Sequence, residues 1–175
     1  MDELGKRLAR GEHAAFAELY DACAGRCHHY LTVYLGSADA ADEVLQETFM
    51  RLVRNRGKLS RVENLPAYVF TVARNEAARY AGRQARDNRR RTALAAHDLF
   101  VEGRGDEAAR ETADLVAAAL MRLAGEQREV VELKVYGGFT FREIGDITGV
   151  PAATAATRYR TALARLKDWL ARQPS

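Results

Sequence analysis

The stretch FTFREIGDITGVPAATAATRYRTALARLKDWL, from Phe139 to Leu170, is the part of the sequence that decides the fold. Its pattern predicts two helices joined by a tight turn. Thr140 and Glu143 have the spacing of a capping box, in which two side chains bond free backbone N–H groups at a helix start. Gly149 suits the left-handed conformation that ends such a helix, and Pro151 suits the first turn of the next one.

The second helix of this stretch has two different faces. Apolar residues recur on one face at helical spacing: Ala155, Tyr159, Ala162 or Leu163, Leu166 and Leu170. Polar and basic residues occupy the other: Thr154, Thr157, Arg158, Arg160, Arg165 and Lys167. Gly145 keeps its position small where the two helices must approach closely. A helix-turn-helix places such a second helix in the DNA major groove. The alternative is an αα-hairpin of a helical bundle, which the capping box, turn glycine and basic face make less favoured.

Length and composition indicate a helical globular chain. The 175 residues suffice for one ordinary domain or two small ones, and only three prolines interrupt helix formation. No apolar run approaches the ~20 residues of a membrane span. The N-terminal segment MDELGKRLAR has no apolar core of the kind found in signal peptides. We therefore expect an all-α protein of the cytoplasm.

The net charge of +3 conceals an uneven distribution of charged residues. Residues 1–47 carry four basic and nine acidic groups, whereas residues 48–92 carry twelve basic and three acidic groups. This difference predicts two kinds of partner: a polyanion at the basic segment and a basic surface at the acidic one. The alternative is that these charged residues only form ordinary solvated surfaces. Such surfaces do not require so large a difference in net charge between two segments of one short domain.

Cys23, Cys27, His28 and His29 form the one cluster of residue types that bind zinc. A structural zinc site needs four well-spaced ligands, and these four crowd a single predicted helix. The two cysteines also share a helical stripe with the apolar residues Phe16, Leu19, Tyr20 and Leu31. We therefore predict two free thiols that act as small core residues, and we expect no metal and no cofactor.

Further helices are predicted along the rest of the chain. In order they cover Glu3–Arg10, Glu12–Leu35, residues 38–56, Leu65–Arg91, residues 110–124 and residues 126–136. Ser37 or Asp39 caps the third of these helices, and Asn64 caps the fourth. The segment KLSRVEN between them shows no period and predicts a polar loop. No β pattern is convincing anywhere in the chain.

Helical periodicity fails between Asp87 and Ala109, where charged clusters, Gly103 and Gly105 predict a linker. The predicted architecture is therefore two small helical domains joined by a flexible linker, with the helix-turn-helix in the second. We place the first domain at residues 1–92, the linker at residues 93–109 and the second domain at residues 110–175.

These two helical blocks resemble the two conserved regions of bacterial RNA polymerase sigma factors of the extracytoplasmic-function type. In the first block the resemblance is carried by AFAELY (Ala15–Tyr20), DAADEVLQETFMRLVR (Asp39–Arg54) and LPAYVFTVARNEAARYAGR (Leu65–Arg83). In the second it is carried by REVVELKVYGGFTFREIGDITGVP (Arg128–Pro151) and TRYRTALARL (Thr157–Leu166). The combination is specific and covers nearly the whole chain apart from the linker, whereas a helix-turn-helix alone would not be specific.

The resemblance implies three binding surfaces. The acidic third helix would dock on the coiled-coil clamp of RNA polymerase through Asp42, Leu45, Gln46 and Glu47. The segment Lys58–Asn64 and the next helix would melt and hold the −10 promoter element through Lys58, Arg61, Asn64, Arg74, Asn75, Arg79 and Arg83. The second domain would recognise the −35 element through Thr154, Thr157, Arg158, Arg160 and Arg165. The residues agree with this, because carboxylates suit a basic coiled coil and a basic face beside an irregular loop suits single-stranded DNA.

The sequence also departs from the family pattern. Tyr68 stands where the family usually has tryptophan, and Thr161 occupies a position that is often arginine. Where the family pattern has glycine, threonine, a β-branched residue and a basic residue, this chain has Ala153, Thr154, Ala155 and Ala156, so only the threonine is kept. Alanine keeps the helix intact, so we expect a different promoter sequence rather than a different fold. We assign Arg158 to a base or an adjacent phosphate, with an anchoring role inside the domain as the alternative.

Two other functions compete with promoter recognition. A sigma-like mimic would bind a regulatory (anti-sigma) protein without binding DNA, but it would not need the twelve basic groups of residues 48–92. An enzyme could use Asp42 and Glu47 or the Cys–His cluster, yet the sequence has no acid–base pair, nucleophile elbow or phosphate-binding glycine loop. We therefore expect a subunit without catalytic activity, whose partners are core RNA polymerase and promoter DNA. The resemblance also allows an anti-sigma partner.

Overall fold

The computed structural model describes residues 3–88 and 115–172, with side chains up to residue 86 in the first range. Its helices are α1 (Glu3–Ala9), α2 (His13–Leu35), α3 (Ala38–Arg54), a 3-10 helix (Arg56–Arg61), α4 (Leu65–Asn88), α5 (residues 115–121), α6 (Gly125–Val135), α7 (Phe141–Thr148) and α8 (Ala152–Leu170). These residues include no strand, which confirms the all-α prediction, and none of their helices has the length and apolarity to cross a membrane. The predicted linker at residues 93–109 lies outside the described ranges.

The chain divides into two compact units. In the first unit, α2 packs against both α3 and α4, and α1 packs against the 3-10 helix. Large side chains from all of these elements are fully buried in its core: Leu8, Leu19, Leu31, Leu52, Leu59 and Phe70. The rings of Tyr30 and Phe70 lie 5.5 Å apart between centroids, so α2 and α4 are joined by an aromatic contact.

Local hydrogen bonds set the helix boundaries of this unit. Gly36 has a φ of 71° and donates its N–H to Thr32 O at 2.8 Å, which ends α2. Ser37, rather than Asp39, caps α3 by accepting from Ala40 N at 3.3 Å. Asn64 Oδ1 accepts from Ala67 N at 3.0 Å, which confirms the predicted cap of α4.

The prediction of an irregular loop after α3 was wrong for its first part. Residues Arg56–Arg61 form a 3-10 helix, and Leu59 within it is fully buried. Gly5 of α1 approaches this turn so closely that a Cβ atom would lie 2.8 Å from Leu59 O. One buried leucine in six residues makes no detectable period, so only packing against α1 reveals the turn.

Both cysteines lie in the core, as predicted, with no exposed surface. Tyr20 was wrongly placed in the same stripe, since 47% of its surface is exposed. Among the described residues, no three potential ligands form a group that could hold a metal ion. Burial raises the pKa of the Cys23 thiol, and it raises that of Cys27 to about 12.

These pKa shifts predict slow thiol chemistry in the folded protein. At pH 8 we expect Ellman's reagent to label neither cysteine until the chain unfolds, and to label both in urea. The pKa of Cys27 is higher in the folded chain than in the unfolded chain, where it has the ordinary thiol value of about 8.5. The neutral thiol therefore contributes to stability below about pH 8.5, and this contribution is lost as the pH rises toward about 12. Rapid labelling of the native protein would contradict the core position.

In the second unit, α6 packs against α8. The core of this pair contains Leu123, Val131 and Ala162, against which Leu120, Tyr159 and Leu166 pack. Arg128 of α6 donates to the oxygens of Leu120, Met121 and Leu123 at 3.0–3.1 Å, so its positive charge caps the C-terminal end of α5. Leu163 and Leu170 are 43% and 41% exposed, so the prediction that they lie in the core was wrong. Of the two alternatives Ala162 and Leu163, the buried residue is Ala162.

The helix-turn-helix geometry follows the prediction closely. Thr140 N donates to Glu143 Oε2 at 2.7 Å, and Glu143 N donates to Thr140 Oγ1 at 3.3 Å, which completes the capping box. Gly149 has a φ of 76° after the end of α7. Pro151 lies at the N-cap of α8, one residue before the predicted first turn. A Cβ atom on Gly145 would lie 2.7 Å from Val150 O in the turn and 3.3 Å from the N atom of Ala152, the first residue of α8, so the close approach to the second helix is confirmed.

Candidate functional site

An open apolar groove of about 820 Å³ lies between α2 and α3. Its apolar lining comes from Phe16 and Tyr20 on α2 and from Leu45, Phe49, Met50 and Val53 on α3. The rings of Tyr20 and Phe49 lie 4.9 Å apart between centroids, and they join the two helices across the groove. Tyr20, Met50 and Val53 are each more than 40% exposed, so part of the apolar lining of the groove is accessible to a partner.

The groove brings together three of the four predicted polymerase-binding residues. Asp42 and Gln46 are exposed on successive turns of α3 and line the groove, together with Glu43. Leu45 also lines it, but only 6% of its surface is exposed, so its contribution is to the floor. Glu47 is half-buried and is not part of the lining. His28 Nε2 lies 3.1 Å from Asp42 Oδ1, so α2 holds the carboxylate in place.

The aromatic half of this groove was missed by sequence reasoning. The sequence did contain a signal, because α3 has more residues on its apolar face than one buried stripe of a helix can hold. These residues are Val44, Leu45, Thr48, Phe49, Leu52 and Val53. The structure buries Val44, Leu45, Thr48 and Leu52 and leaves Phe49 and Val53 beside the groove.

A basic surface runs along the outer face of α4. Asn75, Arg79 and Arg83 are exposed and four residues apart, which places them about 6 Å apart along the helix axis. The Arg83 guanidinium lies 5.8 Å from the ring centroid of Tyr80, and Arg74 is half-buried. Lys58 and Arg61 are exposed on the 3-10 helix, whereas the Asn64 side chain serves as the cap of α4.

Glu76 is a buried carboxylate beneath this basic surface, and sequence reasoning missed its role. Its side chain is 6% exposed, in contact with Arg51 Nε of α3 and 2.8 Å from Arg79 Nη1. Two guanidinium groups therefore satisfy the buried charge, and Arg79 is held in a defined orientation. The sequence signal was one acid in a basic helix, three residues before an arginine.

The five predicted −35 residues lie on α8, and four of them have side-chain partners within the unit. Arg158 Nη2 lies 2.8 Å from Glu126 Oε2, and Arg165 Nη1 donates to Gln127 Oε1 at 2.9 Å. Thr157 Oγ1 donates to Ala153 O and accepts from Arg160 Nη2 at 3.3 Å. Thr154 is half-buried. The ion pair of Arg158 gives weight to the anchoring alternative in the free chain.

Comparison with known proteins places these surfaces in context. Residues 19–87 match the family described as Sigma-70 region 2, and residues 113–166 match the family described as Sigma-70, region 4. The ECF RNA polymerase sigma factor SigK of Mycobacterium ulcerans (strain Agy99) is 30% identical over 174 residues, which cover 97% of this chain and 93% of that protein. The ECF RNA polymerase sigma factor EcfG of Rhodopseudomonas palustris (strain TIE-1) is 30% identical over 146 residues, which cover 77% and 74%.

Two solved structures share the fold at low sequence identity. The sigma factor RpoE in complex with the anti-sigma factor NepR from Bartonella quintana has a TM-score of 0.75 and 21% identity, covering 91% of this chain and 98% of that chain. CnrH in complex with the cytosolic domain of CnrY has a TM-score of 0.70 and 20% identity, covering 98% and 97%.

Proposed function

The chain belongs to the ECF family of RNA polymerase sigma factors, and we propose that it docks on core polymerase through the α2–α3 groove and recognises −10 and −35 promoter elements. Sigma factors are transcription regulators rather than enzymes. The observation that carries the proposal is the separation of charge within the first unit. Asp42, Glu43 and Gln46 line the groove on α3 together with one basic residue, Arg54, at its end, whereas the exposed charges on the outer face of α4 are basic.

Transcription in vitro tests this function directly. Core polymerase with the purified chain, supplied with a genomic promoter library, should produce transcripts from a limited set of promoters. Those promoters should share two sequence elements at a fixed spacing. Transcription no different from that of core polymerase alone would contradict the proposal.

Docking through the groove follows from its chemistry. The apolar floor supplies the area that a helical partner buries, and Asp42 and Glu43 favour basic groups on that partner. A coiled coil with an apolar seam and flanking basic residues fits both features. The same association would place the protein in the cytoplasm, where the polymerase is found.

The −10 element is proposed to bind along α4 as single-stranded DNA. Charges on Arg79 and Arg83 attract the backbone, and Tyr80 beside Arg83 offers an aromatic face for a base. Lys58 and Arg61 are two further exposed cations, on the 3-10 helix that precedes α4 in the chain. Glu76 fixes Arg79 before DNA arrives, which reduces the conformational entropy lost on binding.

Asn75→Ala tests this surface. An exposed amide that contacts a base should be needed for promoter opening but not for docking, so permanganate reactivity of the −10 thymines should fall while polymerase affinity stays unchanged. Normal melting in the Asn75 variant would count against the assignment.

An anti-sigma factor is proposed as a further partner, since the similar sigma factor RpoE is seen in complex with the anti-sigma factor NepR. A mimic that binds only such a protein is less well supported, because binding an anti-sigma factor alone does not require the basic surface of α4. Binding of promoter DNA by the reconstituted holoenzyme separates the two functions.

A further inference from the structure

The first turn of α6 holds two basic side chains of α8. Glu126 pairs with Arg158 at 2.8 Å, and the next residue, Gln127, accepts from Arg165 at 2.9 Å. The Glu126 side chain is 70% exposed and that of Arg158 is 24% exposed, so the ion pair lies at the surface with the carboxylate on the outside. Two consecutive residues of one helix therefore orient the basic face of another.

Arg158 differs from the other cations of α8 in having an acidic partner. Within the part of the chain that the structure describes, Arg160 bonds the hydroxyl of Thr157 on its own helix and no other side chain, and the amide partner of Arg165 is neutral. Among the described residues, Glu126 is the one carboxylate in an ion pair with a cation of α8. The charge of Arg158 is therefore offset locally, while the charges of Arg160 and Arg165 remain available to phosphates.

We propose that Glu126 is a specificity-determining residue that restrains Arg158 from binding DNA of arbitrary sequence. The inference rests on the proposed recognition of the −35 element by α8. Phosphate attraction is independent of sequence, so each freed cation strengthens binding to all DNA. Specificity is a difference between affinities, and an intramolecular carboxylate that competes with phosphate lowers the affinity for wrong sites. A surface ion pair is weak enough for a correctly placed guanine to displace it.

Glu126→Gln is the test, because it removes the charge and keeps the size. The probes are a duplex selected from a randomised −35 pool by the reconstituted holoenzyme and a scrambled duplex of equal composition. The full-length chain is titrated with each probe across a range of salt concentrations. We expect several-fold tighter binding of the scrambled duplex, a smaller selected-to-scrambled ratio, and a log–log salt slope steeper by about 0.9, the value for one further phosphate contact.

Two controls identify the cause. Asp168→Asn removes the same charge from an exposed position near the other end of α8, and it should leave slope and ratio at their wild-type values. Adding Arg158→Gln to Glu126→Gln should restore the wild-type slope, because the released cation is then gone. A merely structural role of Glu126 does not predict that Arg158→Gln restores the slope.

Other outcomes would overturn the inference. An unchanged slope and ratio in Glu126→Gln, a steeper salt slope that persists in the double variant, or a lowered melting temperature in place of altered binding would each do so. Failure of the proposed function looks different, since the wild-type chain would then not distinguish the selected duplex from the scrambled one.

Discussion

Gly145→Ala is expected to destabilise the second unit by about 1–3 kcal/mol, the usual cost of forcing an extra carbon into a packed site. The new Cβ would lie 2.7 Å from Val150 O and 3.3 Å from Ala152 N, and both neighbours are backbone atoms. No side-chain rotation can relieve the contact. The turn between α7 and α8 must therefore shift, which outweighs the usual gain from replacing glycine with alanine inside a helix.

Trp169 makes this effect measurable in the second unit alone. It is the only tryptophan of the chain and lies in α8, with the Arg122 guanidinium 5.6 Å from its ring centroid. Melting followed by its fluorescence should shift down by several degrees, since a unit of 60–100 residues loses about 4–8 °C per kcal/mol. Binding of a −35 duplex should weaken in parallel, because the proposed recognition of DNA by α8 depends on the angle between α7 and α8.

Gly125→Ala is the control for this experiment. Gly125 is the first residue of α6, and no described atom lies within 4 Å of the position of a Cβ there. Alanine should be neutral or slightly stabilising at this site. A Gly145 variant that melts like the Gly125 variant would contradict the predicted close approach of α7 and α8.

Asp42→Arg combined with Gln46→Ala is expected to weaken binding to core polymerase by about tenfold or more, because like charges brought together at an interface cost several kcal/mol. The two side chains line the groove on successive turns of α3, and the arginine would face the basic groups proposed on the partner. Both positions are exposed, so stability should change by only about 0.5 kcal/mol. The helical content of the chain should stay as it is.

A pull-down titration with core polymerase measures this effect. Asp21→Arg is the matched control, since it makes the same charge change at an exposed position of α2 outside the groove lining. An equal loss in both variants would indicate a general effect of net charge. Unchanged affinity in the Asp42 and Gln46 variant would remove the groove from the docking surface.

The sequence by itself determined the features that depend on neighbours within four or five residues. The capping box of Thr140 and Glu143, the left-handed Gly149 and the cap Asn64 all join atoms close along the chain. Such contacts form wherever the local conformation forms, so their spacing in the sequence is sufficient to predict them. The all-α fold and the buried cysteines follow from helical periodicity in the same way.

Only the tertiary structure decided which faces meet and which stay open. Tyr20 and Phe49 line one groove because α2 and α3 pack with these two side chains at the edge of their contact. The periodicity of either helix alone does not show whether the two rings are buried or lie at that edge. The pairing of Glu76 with Arg51 and of Glu126 with Arg158 joins different helices, and Arg165 finds Gln127 at a separation of 38 residues. Contacts of this kind depend on the angle and rotation at which two helices pack, and those are set by the whole core rather than by any one segment.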